Sequence, residues 1–231
     1  MKFNRLENLI GKDKLVKLKN KNVVVFGLGG VGSFAAEALI RSGIENLTVV
    51  DYDIIHISNI NRQLIALETN INTLKIETFK NRALSINSDL NLKALNIKVN
   101  QENIKEILNI DYDFALDCID DVDAKVAIAN TCLNKNIPII LSMGFANKFH
   151  PEKIKISSLK NTSVCPLAKT MRKKFREKNL SLEVAVVYSM ETPARVIDPK
   201  VLGSTAFCPS VAGLFMASFV VNKFIESEEL I

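Results

Sequence analysis

The residues best suited to chemistry fall in four short segments whose side chains complement one another. Gly27-Leu28-Gly29-Gly30-Val31-Gly32 puts glycines where a chain must turn tightly and bring backbone N–H groups up to a phosphate. A helix beginning behind such a turn adds its positive end to the same anion. Asp51 and Asp53 follow at the distance, about twenty residues, where a carboxylate accepts hydrogen bonds from ribose hydroxyls. By itself this is a general nucleotide site, and the glycine spacing alone favours a hydride-transferring NAD enzyme. Arg62, within Ser58-Asn59-Ile60-Asn61-Arg62-Gln63, and Lys75 shift the balance. Hydride transfer does not require two cations beside the phosphates, whereas attack at an α-phosphate builds charge on phosphoryl oxygens that cations must offset. Asp120 adds a carboxylate able to hold Mg²⁺ against those phosphates. ATP with Mg²⁺ is the expected cofactor pair.

These segments need a scaffold that brings them to one edge, and the hydrophobic spacing supplies it. A Val-rich run at 22–26 reads as a central strand covered on both faces, and Phe34, Ala35, Ala38 and Leu39 recur at helical spacing behind the glycine turn. Gly43 stops that helix, and a strand at 46–50 ends at Asp51. Further along, helix is expected at 75–86, strand at 92–99, helix at 102–108, strand at 114–118, helix at 122–133 and strand at 138–142. Strand alternating with helix implies an α/β fold, a doubly wound, Rossmann-like and mainly parallel sheet with helices on both faces. Beyond Gly144 the character changes to a small α+β extension: strands at 154–157 and 183–188 flank a basic helix, and an apolar helix runs over 211–225. One domain over 1–231 is expected, with N-terminal helices at 1–20, a nucleotide-binding core at 21–144 and the extension at 145–231.

Composition narrows the classes further. The 231 residues are 48% hydrophobic, enough for a large buried core. Lys and Arg total 30 against 25 Asp and Glu, and the charge of +5 favours polyanionic partners without identifying one. Residues 1–5 carry no apolar run behind a basic head, so a cytoplasmic location is expected. The stretch 206–221, interrupted by Pro209, Ser210 and Gly213, falls short of the roughly 20 residues of a membrane span and reads as a buried helix. No two of the four cysteines, Cys118, Cys132, Cys165 and Cys208, are spaced C-x-x-C, which argues against a thiolate zinc site. Cys118 and Cys132 read as small core residues, while Cys165 and Cys208, each preceding a proline or near one, read as loop residues. His56 and His150 read as surface or loop histidines without a paired carboxylate, Asp117 as structural, and Lys148 as facing either the crevice or solvent.

Taken together, the glycine turn, Val50-Asp51-Tyr52-Asp53, the Ser58 to Gln63 segment, Lys75 and Asp117-Cys118-Ile119-Asp120 resemble the ThiF/MoeB/HesA superfamily, relatives of the ubiquitin-activating enzymes. That resemblance covers about 23–142. It implies a nucleotide site of Gly27, Gly29, Gly30, Gly32, Asp51, Asp53 and Asn59, phosphate contacts from Arg62 and Lys75, and Asp120 as the metal-linked acid. It also implies that Arg5 reaches the site of a partner subunit, hence a homodimer. A monovalent cation is left open. Two departures stand out: Asp121 and Lys125 replace the Asn and Arg that often follow the catalytic Asp, and the paired C-x-x-C motifs of many sulfur-carrier activators are missing.

The second half resembles the tRNA threonylcarbamoyladenosine dehydratases, through Ser163-Val164-Cys165-Pro166-Leu167-Ala168-Lys169, Tyr188-Ser189-Met190-Glu191-Thr192-Pro193 and Gly203-Ser204-Thr205-Ala206-Phe207. The reaction so implied is adenylation of a threonyl carboxylate on a modified adenosine beside the anticodon, then ring closure from within the substrate with loss of AMP. A nucleophile supplied by the substrate spares the enzyme a reactive thiol. The resemblance gives the basic helix of Lys169, Arg172, Lys173, Lys174 and Arg176 a role in binding tRNA phosphates, where an ordinary charge run would be a solvated face. Glu191 is expected to order a loop across the substrate. Three other readings stand beside this one: an activator of a ubiquitin-like sulfur carrier, a nucleotide-binding scaffold serving a sulfur relay or cysteine desulfurase, and the NAD enzyme.

Overall fold

Val23 and Val25 point into one apolar layer while Val24 and Phe26 point into another, so the strand they form is buried on both faces. This strand, β1 (Asn22–Phe26), is an interior strand of a seven-stranded sheet, flanked by a strand on each side. The structure, a computed structural model, describes residues 2–198 and 200–226; Met1 and 227–231, the outer limits of the domain expected over 1–231, lie outside them. The strands after β1 are β2 (Asn46–Val50), β3 (Asn91–Leu95), β4 (Phe114–Asp117), β5 (Ile139–Ser142), β6 (Ile154–Ser158) and β7 (Ala185–Ser189). Their order is β3-β2-β1-β4-β5-β7-β6, parallel throughout except for β6, which runs antiparallel to β7. The helices are α1 (Asn4–Ile10), α2 (Lys12–Lys19), α3 (Gly32–Arg41), α4 (Lys75–Ile86), α5 (Ile104–Ile107), α6 (Val122–Asn134), α7 (Pro166–Glu177) and α8 (Phe207–Ile225). Buried side chains of α3, α4 and α8 fill one layer, and those of α5, α6 and α7 fill the other. The mainly parallel α/β sheet expected from the sequence is present.

The connections leave β1 toward β2 on one side and reach β4 on the other. That reversal opens a crevice beyond the carboxyl ends of β1 and β4, where α/β sheets bind ligands.

Three elements differ from the sequence-based expectation. β3 stops at Leu95 rather than 99, because its partner β2 ends at Val50, the residue paired with Leu95, and the chain turns away at Asp51. α5 shrinks to Ile104–Ile107. α8 begins at Phe207, not 211, and takes in Pro209 within its first turn, where a missing N–H leaves no intrahelical bond unmade. Cys208 is therefore a fully buried helical residue, and Cys165, buried directly before Pro166, closes the start of α7.

At 19 residues, α8 is long and apolar enough to cross a membrane by length and composition, which the shorter expected stretch was not. Its inner face is instead core: Cys208, Ala212, Gly213, Met216, Val220 and Phe224 are buried. Gly213 is required there, because a Cβ would lie 2.3 Å from the Val31 carbonyl oxygen. The helix thus lies directly on the exit of the glycine turn.

Candidate active site

The crevice has a volume of about 670 Å³. Its wall at β1 is the glycine turn, whose shape the residues dictate. Gly27 takes φ 88°, and a Cβ at Gly32 would fall 1.8 Å from the Gly27 carbonyl oxygen, so neither position tolerates a side chain. Asp51 fixes this turn from the end of β2. One carboxylate oxygen accepts from the Leu28 N–H at 2.6 Å and the other from the Asp53 N–H at 2.8 Å. Asp53 is the more open acid of the pair, and its Oδ2 lies 2.8 Å from Lys75 Nζ. Lys75 itself is buried at the first residue of α4, with its ammonium turned to the crevice. Of the two expected phosphate cations, Lys75 is thus held by an ion pair, while Arg62 folds onto its own loop, donating to the Ser58 carbonyl at 2.7 Å and to Asn61 Oδ1 at 3.0 Å.

Asp120 sits in the turn from β4 to α6, exposed and lining the crevice. The turn is held from both sides. Asp121 caps α6, its carboxylate accepting from the Ala124 N–H at 2.8 Å. Beneath it Asp117 and Lys125, both fully buried, pair at 3.0 Å, and Lys125 Nζ also donates to the Ile119 carbonyl at 3.1 Å. Burial pushes the Asp117 carboxyl up, against the Lys125 ammonium and the Ile119 N–H, which draw it down. Asp117 is structural, as expected, and lies in the interior. Lys125, where relatives often have Arg, is part of the same internal tie.

Among the described residues, no three His, Cys, Asp or Glu side chains gather into a metal site. A lone exposed carboxylate such as Asp120 suits a hard cation whose remaining ligands are phosphate oxygens and water, the usual way Mg²⁺ is held beside a nucleotide. Burial pushes the thiols of Cys118 and Cys208 up, and that of Cys132 up to about 12, so none of these three is a ready thiolate.

The far wall was the least legible part. Lys148, after β5, lines the crevice but is only 1% exposed, so it does not face solvent. Burial draws its ammonium down, while Cys165, Glu191 and Cys208 push it back up. Glu191 accepts from the backbone N–H of Phe149 and of His150, at 3.0 Å and 2.9 Å, and so orders the 147–150 loop. Burial raises its carboxyl, but those amides outweigh the burial and hold it below the usual carboxylate range. Both histidines are exposed and lie outside the helices and strands, as expected; His56 also lines the crevice, and His150, read as lacking a paired carboxylate, has Glu152 at 2.9 Å. Gln63, quoted in the motif without a role, is a buried crevice residue whose Oε1 has no hydrogen-bond partner.

Two expected sites lie outside the crevice. Arg5 is exposed on α1, whose start is tied through Lys2 Nζ to Asn87 and Asp89 at the amino ends of the strands, the opposite edge of the sheet. The basic helix α7 starts at the crevice with Pro166 and Leu167 and buries Ala168, Met171 and Phe175. On its outer side Arg172 is tied to Thr162, and Lys174 pairs with Asp123 at 3.2 Å. Lys173 lies 3.8 Å from Glu177, whereas Lys169 and Arg176 are exposed with no partner among the described residues.

A nucleotide-type turn, a carboxylate at the β4 edge and a second wall from the extension define an adenylating α/β protein, and the ThiF family pattern matches residues 3–228: the chain belongs to the ThiF family. Within that family it is similar to the tRNA threonylcarbamoyladenosine dehydratase of Bacillus subtilis, at 37% identity over 99% of this chain and 96% of the relative. It is also similar to the crystal structures of the Escherichia coli tRNA N6-threonylcarbamoyladenosine dehydratase. The AMP complex matches with TM-score 0.93 and 27% identity over 98% of this chain and 94% of the other. The ATP complex matches with TM-score 0.91 and 28% identity over the same shares.

Proposed function

We propose that this chain is an ATP-dependent tRNA-modifying enzyme that dehydrates threonylcarbamoyladenosine beside the anticodon. The observation that carries this reading is the two-sided crevice: a phosphate-binding turn on one wall and, across Asp120, a second wall built by the extension. The chain's full-length likeness to dehydratases, including relatives solved with ATP and with AMP, supports the same reading. The sulfur-carrier alternative is not favoured, since the likeness to dehydratases extends through the extension and the C-x-x-C pairs are missing.

In the proposed reaction the glycine-turn amides at Gly27, Gly29, Gly30 and Gly32 take the phosphates, and Asp51 keeps that turn in shape. Asp53 and Asn59 hold the nucleoside end. Lys75 and Arg62 offset charge that builds on the phosphoryl oxygens. A threonyl carboxylate oxygen bonds to the α-phosphorus as the bond to the β-phosphate breaks and pyrophosphate leaves. The substrate's own nucleophile then adds to the acyl carbon, loses its proton, and expels AMP. Asp120 would hold Mg²⁺, which when bound neutralises the phosphates. The reaction is proposed for the cytoplasm, and Lys169 and Arg176, with Lys173 and Lys174, supply phosphate contacts beside the crevice. Arg5 completes the site of a second copy in a homodimer. A monovalent cation is a further candidate cofactor, and a sulfur-relay or cysteine desulfurase protein a further candidate partner.

The test is AMP and pyrophosphate formation with tRNA isolated from a strain lacking this protein. Loss of one water from the threonylcarbamoyl nucleoside, read by mass spectrometry, is the expected result. AMP release that requires a glycine-ended carrier protein and ignores tRNA would select the alternative. Mixing Arg5→Ala with Asp120→Ala chains should restore about a quarter of the activity, since random pairing makes half the dimers mixed, each with one intact site. No recovery would confine Arg5 to its own chain.

A further inference from the structure

We infer that the β5 end of the crevice is an anion subsite in which Lys148 Nζ holds the carboxylate that is to be adenylated. This rests on the function proposed above and names the residue that receives the acyl substrate.

Lys148 lacks a counter-ion among the described residues. Its ammonium makes one long hydrogen bond, to the Ser189 carbonyl at 3.4 Å, and has no carboxylate at ion-pair distance among the described residues. The acid beside it, Glu191, has turned its oxygens to the Phe149 and His150 amides. An ammonium carries three donors, and removing one from water without a counter-ion is costly. The protein nevertheless fixes it firmly. Asn147 adopts a left-handed φ of 59° and is tied to Ala194 and Gly203 by three hydrogen bonds: its N–H to the Gly203 carbonyl at 2.8 Å, its side-chain Oδ1 from the Gly203 N–H at 2.7 Å, and its carbonyl from the Ala194 N–H at 2.7 Å. The Lys148 carbonyl accepts from Thr205 Oγ1 at 3.3 Å. A strained backbone pinned around an unpaired buried cation that lines a crevice is built to receive an anion.

Its position says which anion. β4 lies between β1 and β5, so the turn bearing Asp120 separates the phosphate-binding turn from the Lys148 loop. The phosphates have their own cations at Lys75 and Arg62, which leaves Lys148 for the acceptor. A carboxylate approaching the α-phosphate meets like charge, and a cation beside it lowers that repulsion. After the new O–P bond forms, the acyl oxygen remains at Nζ, where the same donor stabilises the oxyanion created as the substrate's nucleophile adds and AMP departs with the bonding electrons.

Lys148→Met keeps the volume and removes the charge. With the full-length enzyme, kcat/KM for modified tRNA should fall roughly ten- to a hundredfold, the range of a charge-assisted hydrogen bond, while calorimetric ATP affinity stays within about twofold. Thermal melting without substrate should rise, since a buried unpaired charge is gone, whereas a structural tie would make it fall. Lys148→Ala with added ethylammonium should regain part of the lost rate. An unchanged kcat/KM for tRNA, an equal loss of ATP affinity, or a lowered melting temperature would overturn the subsite. If wild-type enzyme formed no AMP with modified tRNA, the proposed function would fail, and the subsite would be decided separately by N-carbamoylthreonine: Lys148→Met should weaken its binding about tenfold, and equal binding would overturn the inference.

Discussion

Three lysines are buried around the crevice, and their surroundings differ by wall. On the nucleotide side Lys75 meets Asp53 at 2.8 Å, and beneath the Asp120 turn Lys125 meets Asp117 at 3.0 Å. On the acceptor side Lys148 has no carboxylate at ion-pair distance among the described residues; it donates to the Ser189 carbonyl at 3.4 Å and lies over the Phe145 ring, 5.9 Å from its centroid. Paired cations hold the scaffold in place and set Asp120 over the crevice. The unpaired one is held in place by its scaffold, with its donors left for something that arrives. The buried lysines of the nucleotide side are therefore paired in the free chain, whereas the lysine of the acceptor side is paired by its ligand.

The contrast is open to direct attack. Asp117→Ala leaves Lys125 buried and uncompensated, so urea unfolding should show a loss of about 3–5 kcal/mol. Asp117→Leu with Lys125→Met should restore most of it; failure to do so would mean that the pair does more than neutralise itself. Asp120→Ala should leave the fold intact and lower kcat by roughly 10²–10³, with weak ATP binding retained, because its contribution falls chiefly in the transition state. Unchanged turnover would remove Asp120 from the chemistry. Gly213→Ala drives a methyl into the Val31 carbonyl and should lose about 1–3 kcal/mol of stability together with some ATP affinity; if only stability falls, α8 does not brace the glycine turn.

The smallest effect concerns acid. Burial raises the Glu37 carboxyl, but Arg82 and Arg41 outweigh it, so the folded state holds this proton less tightly than the unfolded chain. The stabilisation is complete above the unfolded carboxylate range, near pH 4.3, and fades as pH falls through it toward the lower folded value. Glu37→Gln should cost under about 1 kcal/mol at neutral pH, and the difference from wild type should vanish in acid.

Most of the nucleotide wall was legible in the sequence, because its parts are local. The Val-rich β1 runs straight into the glycines of the turn, β2 ends where Asp51 begins, and β1, β2 and α4 fall at their expected bounds. The acceptor wall depends on contacts between distant segments: Glu191 with the amides of Phe149 and His150, Asn147 with Gly203, and α8 with Val31. No single stretch encodes these. Lys148 could be read either way because the groups that act on its ammonium, Cys165, Glu191 and Cys208, come from three distant segments of the chain. Likewise Pro209 looked like a break in an apolar run, although in a first helical turn it breaks nothing.

Carboxylate activation by ATP is tested most directly with nucleotide labelled at the α-phosphate. Incubated with magnesium and tRNA from a strain lacking this protein, the enzyme should release one labelled AMP for each cyclised nucleoside, with pyrophosphate as the co-product. Cyclisation without AMP, or release of ADP and phosphate instead, would contradict it.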